Sequence, residues 1–122
     1  MRFLMMHRLD ERAPEAWNPS PEFIEKMGAF IQESIDNGTL ITAEGVHPSE
    51  KGALVRKARG AGTSTTDGPF TEAKEVIGGF ALVNAKDRAE AVAYARRYAD
   101  LFDEVEVEVR QVVEFDELPS AV

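Results

Sequence analysis

Residues Asp67 to Val83 read DGPFTEAKEVIGGFALV: a rigid turn, a polar run, two glycines and an apolar strand. Pro69 fixes its own φ, has no N–H to donate, and drives the residue before it out of the helical region. Gly68 tolerates backbone angles that other residues do not. The Asp67 carboxylate can accept from backbone N–H groups just downstream, as in an Asx turn, and Phe70 supplies an apolar anchor. Two readings stay open. Asp67 is a structural cap on a common turn signal, or it is a carboxylate held at a pocket mouth for proton transfer or ligand binding. The strand that follows, Ile77 to Ala85, puts Phe80 and Leu82 on one face and Ile77, Ala81 and Val83 on the other. Apolar on both faces, it belongs where both sides are covered. Gly78-Gly79 mark a bulge or a close approach of another backbone, and the small residues point to packing against a second sheet.

Immediately upstream, Ala53 to Arg59 and Thr63 to Thr66 form a hairpin around Gly60-Ala61-Gly62 that delivers Asp67. These glycines lack the third glycine and following helix of a dinucleotide fingerprint. Lys51, Arg56, Lys57 and Arg59 make a basic patch, read either as a charged edge that blocks strand pairing or as a site for an anionic ligand. Before it, Thr39 to Val46 is a strand leaving through Glu44-Gly45-Val46-His47-Pro48-Ser49. Glu44, His47 and Ser49 do not make a hydrolytic triad, because no nucleophile elbow accompanies them.

At the N-terminus, Arg2 to Arg8 is a strand apolar on both faces, with His7 near its end. A loop from Leu9 to Pro19 holds the one tryptophan, Trp17, either a cap on the core's edge or a lid over a ligand. Ser20-Pro21-Glu22 starts a helix with a capping serine, a proline in the first position and an early acid. Phe23, Met27, Phe30, Ile31 and Ile35 follow at helical spacing, and Asn37-Gly38 ends it. Thr71 to Glu75 is open between a helical turn and an extended approach. Asp87 and Glu90 form a capping box for a second helix reaching Ala99, with Ala91, Tyr94, Ala95 and Tyr98 inward. Glu104 to Phe115 is the last strand, and a flexible tail is expected over 116–122 after a single domain over 1–115.

The chain has 122 residues, 43% of them hydrophobic, which suits one domain with a real core. A net charge of −8 disfavours nucleic acid and anionic membrane surfaces as partners. With no cysteine there is no disulfide, thiolate zinc site or cysteine nucleophile, in keeping with a cytoplasmic protein. No apolar run is long enough for a membrane span, and the opening residues have no signal-peptide pattern. Neither a metal nor an organic cofactor is expected.

The DGPFTEAKEVIGGFALV block resembles the signature of the YCII-related family, in its DGPF-type branch. Gly45-Val46-His47-Pro48-Ser49 with Lys51-Gly52-Ala53, and the opening Met1 to Met6, are similar to further segments of that family. The likeness runs from about residue 1 to about residue 113. It implies a small ferredoxin-like α+β domain that dimerises. It also implies a His–Asp pair at an active site, with Asp67 as the Asp and His7 or His47 as the histidine. A sigma-factor-related partner is implied too, since DGPF-type genes stand beside or are fused to such factors.

The order strand, helix, strand, hairpin, strand, helix, strand is β-α-β-β-α-β with an extra hairpin, the ferredoxin-like pattern. Two helices cover one face of such a sheet. The other face, apolar in at least two strands, is expected to pair sheet-to-sheet in a homodimer. Two functions compete: a module that binds a small molecule or a regulatory partner, and a metal-independent enzyme using Asp67 with His47 or His7 as acid and base. Trp17, Glu44 and Lys74 are the candidate ligand contacts.

Overall fold

The computed structural model describes residues 1–13 and 16–119. Six strands and two helices follow in the order β1 (Arg2–Leu9), α1 (Pro21–Asp36), β2 (Leu40–Gly45), β3 (Ala53–Lys57), β4 (Thr63–Asp67), β5 (Val76–Asn84), α2 (Arg88–Ala99) and β6 (Glu106–Gln111). The main sheet has the order β2-β5-β1-β6 with every neighbouring pair antiparallel. β3 and β4 make a separate two-stranded sheet, inserted between β2 and β5. Without that insertion the topology is the ferredoxin-like β-α-β-β-α-β.

Local chemistry sets the helix limits. The Ser20 hydroxyl accepts from the Phe23 N–H at 3.1 Å, with Pro21 in the first position. Gly38, at φ +79°, takes the left-handed turn after Asn37 that ends α1. Asp87 accepts from the Glu90 N–H at 2.8 Å to start α2.

The register places the core. Phe3 pairs with Val83, and Met5 with Ala81 and Val109, so these side chains share the face that the helices cover. Phe3, Met5 and Val83 are at most 2% exposed and pack with Ala85, Ala91 and Ala95. Buried Ser34 joins the helices, donating to the Phe30 carbonyl at 2.8 Å and accepting from the Tyr94 hydroxyl at 2.7 Å. The opposite face carries Leu4, Met6, Phe80 and Leu82, all half-buried. On one side of them stand Thr42 and Glu44; on the other stand Glu106, Glu108 and Arg110. Arg8 pairs with Glu108 at 2.6 Å there.

One expectation changes and one open reading is resolved. Ala81 and Val83 face the helices, not a second sheet, because small residues let helices sit close to a strand. Thr71 to Glu75 forms turns and bends with no helix. A register shift in β1 between His7 and Arg8 places Arg8 opposite Ile77, which is 45% exposed. The segment from Asp116 begins inside a capped 3₁₀ turn, Phe115–Glu117. The last three residues of the expected tail, 120–122, lie outside the described residues. Among the described residues no helix is long and apolar enough to cross a membrane.

Candidate functional site

The end of β1, the exit of β2 and the start of β5 meet at one end of the sheet, where the long connections also gather. There the Asp67–Phe70 turn is held by other loops. Gly68 donates to the Gly52 carbonyl at 2.9 Å. Phe70 N–H donates to Ser49 Oγ at 2.8 Å. Ser49, 7% exposed, donates through its N–H (3.1 Å) and its hydroxyl (2.7 Å) to Glu11 Oε1. Three connections, after β1, after β2 and after β4, are thereby tied together. A Cβ on Gly68 would stand 1.6 Å from the Ser49 carbonyl oxygen, so only glycine fits. The Gly68–Pro69 bond is cis. The exposed Asp67 carboxylate takes no hydrogen bond among the described residues; the cap expected of it falls to Ser49. Asp67 belongs to β4, paired with Ala53, whereas the Ser49 hydroxyl lies against the turn's backbone.

Beside this turn opens a cleft of about 500 Å³. Val46, Pro48, Ala53, Phe70, Val76 and Ile77 give it apolar walls. Two basic side chains stand on it, His47 and Lys51, and among the described residues no acidic one does. Val46 and Ile77, 42% and 45% exposed, leave apolar surface open to an occupant.

His7 lies on the helix side of the sheet. Its Nδ1 is 2.7 Å from the Tyr98 hydroxyl. Its ring lies 5.5 Å from that of Phe102, which packs edge-on against Phe23 at 5.0 Å. Burial lowers the pKa of His7 and pushes the Tyr98 phenol well above its ordinary range. Tyr98 therefore keeps its proton beside a neutral imidazole, donating to Nδ1 when the ring proton is on Nε2 and accepting from it when the proton is on Nδ1. The two glycines are explained here. A Cβ on Gly78 would stand 2.5 Å from His7 Nε2, and one on Gly79 would stand 2.7 Å from the Glu44 carbonyl oxygen and 2.8 Å from His7 Cε1.

The family model of the YCII-related domain matches residues 1–116, which takes in the whole sheet, both helices and the hairpin. The chain belongs to the YCII-related family. It is also similar to the uncharacterized protein R00369 of Rhizobium meliloti (strain 1021), at 29% identity over 89 residues, 71% of each chain.

Of the candidate catalytic and ligand-contact residues of this YCII-related chain, His47 lines the cleft, joined there by Lys51 of the basic patch; Asp67, His7, Trp17, Glu44 and Lys74 are not among its lining residues. Glu44 is exposed on the open face, in register with Phe80. Lys74 is exposed near Asp10, whose carboxyl is held below its usual range first by its hydrogen bonds with Arg12 and to a lesser degree by Lys74. Trp17 is half-buried, and its Nε1 is buried without a partner among the described residues, as is Glu11 Oε2. Among the described residues no group of three histidines and carboxylates could hold a metal ion. Two important groups were not read as site residues. Tyr98 read only as part of a helix's inner stripe, and Glu11, whose partner lies in a distant loop, had no local signal.

Proposed function

We propose that this YCII-related protein is a binding module that takes a small organic anion with an apolar body into the cleft beside the Asp67–Phe70 turn. The observation that carries the reading is the lining itself: apolar walls with His47 and Lys51 as the charged or titratable side chains. About 500 Å³ falls within the range of small-molecule sites. Lys51 supplies charge, and His47 a donor or acceptor, for one end of a ligand whose body covers Val46, Phe70 and Ile77. A thermal-shift screen of aromatic and branched carboxylates and phosphate monoesters tests it. A ligand at about 100 times its Kd raises stability by about 2.7 kcal/mol. The shift is expected to shrink in Lys51→Ala and His47→Ala. No shift with any compound, or equal shifts in wild type and both variants, sinks the proposal.

A second reading adds chemistry. Asp67 does not line the cleft, but its backbone is paired across the hairpin with Ala53, which does. With His47 it would serve as acid and base on the bound molecule. Loss of turnover of the screened ligand in Asp67→Asn, with binding retained, supports this; unchanged turnover excludes it.

The open sheet face supports a homodimer. Leu4, Met6, Phe80 and Leu82 form its apolar centre, and charged residues edge it. Light scattering of wild type and Leu82→Glu tests the pairing, and a wild type that is monomeric at micromolar concentration refutes it.

A further inference from the structure

The segment after β6 holds the most exposed of the large apolar side chains among the described residues. Phe115 is 93% exposed, with Val113 at 62% and Leu118 at 52%. Yet this segment is firmly held. Val112 N–H donates to the Arg2 carbonyl at 2.9 Å. The Arg2 guanidinium grips the Glu114 carboxylate through two bonds of 2.8 Å. Glu114 N–H donates to Glu117 Oε2 at 2.9 Å, closing a capping box around Phe115. An ordered turn therefore presents a phenylalanine to solvent, with Glu114, Asp116 and Glu117 around it. An aromatic anchor fixed before binding loses little freedom on docking, and such anchors carry much of an interface's energy.

The β3–β4 hairpin has complementary properties. It stands outside the main sheet with both edges unpaired. All of its strand residues but Leu54 are exposed, and Val55 is 67% exposed. From Lys51 to Thr66 the chain carries Lys51, Arg56, Lys57 and Arg59 and no acid, in a protein of net charge −8. None of these four bases is in an ion pair among the described residues. A lone two-stranded hairpin is marginal in water and gains from being covered.

We propose that the Val113–Leu118 segment of one copy docks on the β3–β4 hairpin of a second copy. Phe115 packs toward Val55, Asp116 and Glu117 face Lys57 on the same side of β3, and Arg56 and Arg59 add positive charge around that contact. The high exposure of Phe115 means that the contact is not made within one chain. Both halves lie on the same chain with opposite charge, so any two copies carry a complete contact. A twofold arrangement makes it twice, each copy giving one hairpin and receiving one. Its ionic share weakens with salt.

The absence of cysteine allows a direct test. Val55→Cys and Phe115→Cys chains are mixed and oxidised, and a disulfide joining position 55 of one to position 115 of the other is expected to exceed the 55–55 and 115–115 products. In sedimentation, Phe115→Asp and the triple variant Arg56→Glu/Lys57→Glu/Arg59→Glu are each expected to associate about tenfold more weakly or worse than wild type. Circular dichroism confirms that both stay folded. A monomeric wild type at about 100 μM overturns the proposal. So does association unchanged in both variants without the mixed disulfide, the outcome expected if copies pair through the open sheet face alone.

Discussion

Gly68→Ala is the sharpest perturbation of the turn. A Cβ there would lie 1.6 Å from the Ser49 carbonyl oxygen and 2.5 Å from its carbonyl carbon. Both are backbone atoms, so no side-chain rotation relieves the clash, and the turn must leave the Ser49 loop. Two hydrogen bonds go with it: Gly68 N–H to Gly52, and Phe70 N–H to Ser49 Oγ. At about 1 kcal/mol each, plus about 1–3 kcal/mol for overpacking, the loss is about 3–5 kcal/mol. That is a large share of the ~5–15 kcal/mol that holds a domain together, and at roughly 4 °C per kcal/mol it lowers Tm by about 12–20 °C. Urea and thermal unfolding followed by circular dichroism measure it. Gly28→Ala is the control, because nothing lies within 4 Å of a Cβ there and the site is inside α1. It should gain up to about 1 kcal/mol. A Gly68→Ala protein within about 1 kcal/mol of wild type refutes the account of how the turn is held.

Ser49→Ala removes one donor to Glu11 and the acceptor of Phe70 N–H; a loss of about 2–3 kcal/mol is expected from leaving buried partners unpaired, seen as an earlier urea midpoint. His7 gives a pH signature. Its ordinary value is 6.5 and burial lowers it in the folded chain. Above pH 6.5 neither state holds the proton; as pH falls below that, the unfolded chain binds it first, so stability declines until the lower folded value is passed. His7→Gln should flatten that decline in urea titrations across the range, and an unchanged slope argues against a neutral buried His7. Nitrogen NMR of the wild type should find a neutral ring with one protonated nitrogen near pH 6.5, and a doubly protonated ring there contradicts the effect of burial.

What could be read from sequence was what repeats over short distances. Ser20 and Asp87 announced their helices because a capping oxygen and the N–H that donates to it lie within a few residues. The short runs of β1 and β5, apolar on both faces, announced covered strands, and the order of strands and helices announced the ferredoxin-like sheet. Gly78-Gly79 declared that something comes close, but that it is the His7 ring and the Glu44 carbonyl depends on the pairing of three strands. The same limit hid the Glu11–Ser49–Phe70 chain, where each member lies in a different loop. Ala81 and Val83 were assigned the wrong neighbour because small residues signal closeness without saying to what. Asp67 drew attention by its motif, while the buried hydroxyl that holds the turn looked like one more polar loop residue.

The two histidines differ in what they are free to do. His7 Nδ1 is taken by Tyr98, its Nε2 lies against Gly78, and two aromatic rings adjoin it. A proton added there would place charge among Tyr98 and Phe102 with no acidic partner beside it among the described residues, and burial drives its pKa down. His47 is exposed, lines the cleft and stands with Lys51. If the cleft is the binding site, the two should separate cleanly when each is changed to glutamine. His47→Gln is expected to weaken the ligand found by screening while leaving the unfolding midpoint within about 0.5 kcal/mol of wild type. His7→Gln is expected to shift stability and its pH dependence while leaving ligand affinity intact. The opposite assignment, with affinity lost through His7 and kept through His47, would move the site to the aromatic end of α2 and away from the turn.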